Sequence, residues 1–99
     1  MVHAHELVIP PTAEKDESAR ELLRAWGVAG GLHVTLAPDL WDEPGNWGIA
    51  LADITRHLSD AYAELNGIDK AETIQRIRML FDAELDSPTD EPTGHFVRK

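Results

Sequence analysis

The chain contains no cysteine. Disulfides, thiolate metal sites and cysteine nucleophiles are therefore excluded together, and nothing ties the chain to an oxidising compartment. Basic residues are also scarce: nine Lys and Arg stand against eighteen Asp and Glu, for a net charge of −9, and the nine form no cluster. Nucleic acid and anionic membrane both need a basic face that releases counterions from phosphates, so neither is expected as a partner. Long apolar runs are missing as well. No stretch approaches the ~20 residues of a membrane span, and Met1 to Pro11 carries no cationic region followed by an apolar run of the kind that directs secretion. The expectation is a soluble, cytoplasmic protein.

Catalytic signatures are absent in the same way. There is no phosphate loop, no G-x-S-x-G elbow, no glycine-rich dinucleotide turn and no basic-aromatic platform. Ala29-Gly30-Gly31 reads as a helix stop rather than a phosphate cradle. Ser18, Ser59, Ser87 and Tyr62 have no histidine at helical spacing on their own face, so nucleophilic catalysis lacks a triad.

What is present is a chain of 99 residues, enough for one domain, since domains usually need roughly 100 to 150 residues. A chain of this size buries only about 60 to 70% of its unfolded surface and gains by sharing apolar surface with a partner. Residues 1–15 read as an extended N-terminal arm. Pro10 and Pro11 exclude a continuing helix or a central strand there, and Leu7 and Ile9 are expected to pack on the body. Asp16 or Ser18 is expected to cap a first helix to about Val28, with Ala19, Leu22, Leu23 and Trp26 on one face and Gly30-Gly31 as its stop.

"LHVTLA" (Leu32 to Ala37) alternates apolar and polar residues and is the one convincing strand, with Leu32, Val34 and Leu36 facing the core and His33 and Thr35 facing away. A second helix is expected from about Pro44 to Leu65, with Trp47, Leu51, Ile54, Leu58, Ala61, Tyr62 and Leu65 as its apolar stripe. A third, capped by Asp69, runs to about Leu85, with Ile74, Ile77, Phe81 and Leu85 inward and Pro88 beyond its end. Residues 87–99 read as an extended or loosely docked tail. The fold class is thus α+β. A lone strand must find partners for its backbone groups, either in the arm around Leu7 to Ile9 or in its own copy across a homodimer two-fold. The dimer is the favoured expectation.

Candidate chemistry concentrates in "LWDEPGNWGIALADITRHL" (Leu40 to Leu58). Asp53, His57, Asp60 and Glu64 fall on one ridge of the second helix at 100° per residue. Carboxylates one turn from an imidazole would bind a divalent metal or orient a general base. The ordinary alternative is a solvated acidic face. Trp41 and Trp47 bracket the helix start around Pro44, with Asp42 or Glu43 favouring the positive end of the dipole. His33, at the expected dimer seam, would meet its own mate there. His3 and His5 form an H-x-H pair, which the ordinary reading treats as a mobile terminus. His95 supports no role. Asp82 to Glu91 is acidic but lacks the spacing of a calcium loop.

The ordered run of "HELVIPP", "GGLHVTLAPDLW", "WGIALADITRHL" and "ELDSPTDEPTGH" resembles a family of small uncharacterised bacterial proteins, mainly from alphaproteobacteria, known as a domain of unknown function. The W-G-I-x-L-x-D-I-x-R-H stretch, Trp47 to His57, is its most distinctive part. The resemblance implies a single-domain, intracellular bacterial protein with no assigned activity and no catalytic residues to carry over. Three readings follow. The leading one is a non-catalytic, acidic homodimer serving as an interaction or accessory module, with no cofactor. The second is a small-ligand or divalent-metal protein using His33, Trp41, Trp47, Asp53, His57 and Asp60 near the dimer seam. The third is a small enzyme using His57 with Asp53.

Overall fold

The computed structural model describes residues 3–88 and the backbone of 97–98. Its elements are α1 (Pro11–Glu14), β1 (Leu23–Val28), β2 (Gly31–Leu36), α2 (Asn46–Asn66), α3 (Lys70–Asp86) and β3 (Val97–Arg98). The α+β class is as expected. The described residues fall into a β unit, 3–38 with 97–98, and a helical unit, 39–88.

In the β unit, β1 and β2 form an antiparallel hairpin with Leu23 opposite Leu36, Trp26 opposite His33 and Val28 opposite Gly31. Ala29-Gly30 makes the turn, and Gly30 sits at φ +86°, a left-handed conformation that glycine adopts without the steric cost of a Cβ. The helix expected over 16–28 is therefore corrected. Leu23 to Val28 satisfies both a helical and an alternating pattern, and long-range pairing decides between them: six residues on one side of a two-residue glycine turn match six on the other. Asp16 caps no helix. Its Oδ1 instead accepts the Ser18 backbone N–H at 2.9 Å and the Ser18 hydroxyl at 2.6 Å, which closes a local turn.

The expected pairing of β2 is corrected with it. The strand spans 31–36 and is central in a three-stranded sheet of order β1-β2-β3. β1 covers one edge, and β3 runs parallel on the other, with Thr35 beside Val97 and Leu36 beside Arg98. Neither the arm nor a second copy is needed to satisfy it along β1. The alternation itself holds: residues opposite each other share a face, so Leu23, Ala25, Leu32, Val34 and Leu36 line one side and Arg24, Trp26, His33 and Thr35 the other.

The arm also differs from expectation. Leu7 is 89% and Ile9 53% exposed, so neither packs on the body. The arm is tied to β1 instead by Glu6, whose carboxylate lies 3.3 Å from Arg24, and by His3, whose ring meets Trp26. Pro11 opens the short α1, at the position where a missing N–H costs nothing. Residues 1–2, 89–96 and 99, with His95, most of the tail and the last three positions of the acidic stretch 82–91, lie outside the described residues; 82–86 belong to α3 and 97–98 form β3.

In the helical unit, α2 and α3 form a hairpin. Gly67, at φ +68°, ends α2: its N–H donates to the Ala63 carbonyl at 3.1 Å and the Ile68 N–H to the Tyr62 carbonyl at 3.3 Å. Asp69 starts α3 by accepting the Glu72 N–H at 3.2 Å, the N-cap role expected of it. Ser59 and Thr73 are the buried polar residues, 2% and 6% exposed. The helices thus meet through small side chains, with Thr55 and Ala63 half-buried beside Ser59. Among the described residues no apolar side chain is fully buried.

Candidate functional site

α2 starts at Asn46, two residues beyond the expected Pro44, with Gly45 as its N-cap and no side-chain cap. Glu43 Oε1 accepts the Gly45 N–H at 2.8 Å, and the next N–H groups bond to Glu43, Pro44 and Gly45 carbonyls in a tight first turn. Trp41 and Trp47 meet edge to face, their ring centroids 5.2 Å apart, and both are half-buried. This geometry suits two aromatic quadrupoles. The pair packs against itself, as a clamp on the helix start.

His57 lies ten residues beyond Trp47 on the same helix, about 15 Å along its axis at 1.5 Å per residue. The tryptophans and the histidine therefore do not converge. The acidic ridge is real as a row on α2, but two of its three carboxylates, Asp53 and Asp60, are engaged by bases. Asp53 lies 3.5 Å from Arg56 and Asp60 lies 3.1 Å from Lys70, each pair well exposed. Asp53 consequently points its charge at a guanidinium, and not at His57. Among the described residues no group of three or more His, Asp or Glu side chains is placed to hold a metal ion. His33 belongs to the β unit, whereas Trp41, Trp47, Asp53, His57 and Asp60 belong to the helical unit.

A second cluster was not anticipated. Trp26 lies opposite His33 on the hairpin, and the His3 ring meets Trp26 edge to face at 4.7 Å. The His5 backbone N–H donates to His3 Nδ1 at 3.0 Å, so that nitrogen is engaged as an acceptor. The signal was the alternation of Arg24, Trp26 and Val28 up to the glycine turn, which places Trp26 on the His33 side. Between the arm and β1 the same unit holds an open cleft of ≈ 740 Å³, with Glu6, Arg20, Glu21 and Arg24 among its walls. Arg24 also pairs with Glu21 at 3.2 Å.

The family profile for "Domain of unknown function (DUF5076)" matches residues 6–89. The chain belongs to this family. A solved structure from the photosynthetic bacterium Rhodopseudomonas palustrus CGA009, provisionally named a pyruvate dehydrogenase, is 36% identical and superposes with a TM-score of 0.73, covering 96% of this chain and 97% of that one. No curated protein matches the chain. DUF5076 thus supplies a fold shared over nearly the whole length, and the arm from Glu6, the hairpin and both long helices all lie within the matched span.

Proposed function

We propose that this protein is a non-catalytic, acidic interaction module of the bacterial cytoplasm that works as a homodimer. The observation that carries the reading is the missing core: no apolar side chain among the described residues is fully buried, while Leu51, Ile54, Leu58, Leu65 and Phe81 are 39 to 79% exposed. Fully burying a Leu or Phe side chain contributes about 1.5–3 kcal/mol, so a single chain leaves part of this stabilisation unrealised. An association that covers these side chains recovers it. The net charge of −9 keeps the rest of the surface soluble.

The ligand reading draws less support because His33 lies in a different unit from its other residues, and the enzyme reading because Asp53 is paired with Arg56, as Asp60 is with Lys70. The provisional dehydrogenase name stays with the protein that carries it. Light scattering at tens of micromolar tests the proposal. A dimer is expected, and a monomer would overturn it.

A further inference from the structure

The apolar side chains of α2 have a stricter order than an amphipathic stripe requires. Trp47, Leu51, Ile54, Leu58, Ala61 and Leu65 follow one another at spacings of four, three, four, three and four residues. That is the 3-4 alternation of a coiled-coil seam, averaging 3.5 residues. The seam is not what meets α3. At 100° per residue its centre lies about 120° around the helix from Ser59, the buried α2 residue of the hairpin contact, and Leu51, Ile54 and Leu58 remain 39%, 41% and 42% exposed, with Leu65 at 79%.

We infer that this seam pairs with α2 of a second copy, antiparallel, about a two-fold axis level with Arg56. The inference rests on the self-association proposed above and names its surface. The seam is palindromic about that level. Trp47 of one copy lies opposite Leu65 of the other, Leu51 opposite Ala61, and Ile54 opposite Leu58. Each layer sets a large side chain against a smaller or equal one, which is how facing positions fill space without voids. In-register parallel pairing would instead stack Trp47 on Trp47 and leave Ala61 facing Ala61.

The flanks fit as well. Antiparallel pairing sets Thr55 against Thr55, His57 against His57, Ala50 against Glu64 and Gly48 against Tyr62. No carboxylate faces another, although the chain carries twice as many acids as bases. Asp53 and Asp60 point off the seam and hold Arg56 and Lys70. Gly48 gains a reason: a Cβ there meets nothing within 4 Å in the single chain, and the second copy's Tyr62 ring is what would occupy that space. A basic partner would have little to grip, because the seam itself is uncharged.

The absence of cysteine makes the test direct. Single-cysteine variants of the full chain are treated with a short bis-maleimide and resolved by mass. His57→Cys is expected to crosslink to its own mate beside the axis. Ala50→Cys alone is expected to fail, since its mate lies about 20 Å away along the helix, yet to crosslink when mixed with Glu64→Cys. Efficient self-linking at both 50 and 57 would overturn the antiparallel register. A dimer by light scattering with no linking at any of these positions would overturn the seam and leave self-association standing. A monomer would overturn both.

Discussion

At the residue scale, the buried contact between α2 and α3 contains one unmet demand: Thr73 Oγ1 is buried without a hydrogen-bond partner. An unsatisfied buried hydroxyl costs about 1–3 kcal/mol, so Thr73→Val, which keeps the shape and the β-branch, is expected to stabilise the helical unit by about 1 kcal/mol in urea unfolding. Ser18 has the opposite character. Its side-chain hydrogen bond, followed by its backbone N–H, holds the Asp16 carboxyl below its ordinary value. Because the folded value is depressed, the contribution to stability is present above the ordinary carboxylate range and is lost as pH falls through the lowered one. Ser18→Ala is expected to move the Asp16 titration upward, as followed by NMR of its carboxyl carbon. Of these residues, Asp69 was legible because a cap needs only local chemistry. Asp16 had the same local appearance, and its neighbour two positions on captured it.

At the element scale, α2 and α3 were legible almost to their ends, since their periodicity, Gly67 and Asp69 act within a few residues of chain. The segment before β2 was not. Leu22, Leu23 and Trp26 trace a helical face as readily as Leu23 to Val28 traces a strand, and what settles it is the match across Ala29-Gly30 to a strand of equal length. The ambiguity has a physical consequence: if 23–28 is a helix, β2 lacks a hairpin partner inside the chain and needs a second copy, whereas on the hairpin it already has one. Trp26 stands beside His33 only because 23–28 is a strand, so the same pairing decides which side chains cluster there. The present basis for self-association is the uncovered seam of α2. Gly48→Ala separates the two contributions of that helix. The substitution should raise helix stability by up to about 1 kcal/mol, glycine being that much poorer than alanine in a helix interior, while weakening the dimer by crowding Tyr62 of the second copy. Circular dichroism at low concentration and light scattering at high concentration read these separately. Leu58→Lys should retain helix by circular dichroism and lose the dimer.

At the scale of the whole molecule, composition and structure point the same way. A chain of 11.0 kDa whose described residues include no fully buried apolar side chain gains from the association proposed above, which would cover such side chains. Its charge supplies the sign of a further test. Two chains of net charge −9 repel, and added salt screens that repulsion over a Debye length of about 8–10 Å near physiological ionic strength. Self-association should therefore strengthen between low and moderate salt, whereas docking of a basic partner would weaken. Sedimentation equilibrium of the purified full chain at tens of micromolar is the most direct measurement. The account predicts a mass twice the 11.0 kDa of one chain, with dissociation shifting to lower concentration as salt is added. A mass of one chain at every concentration and salt would contradict it.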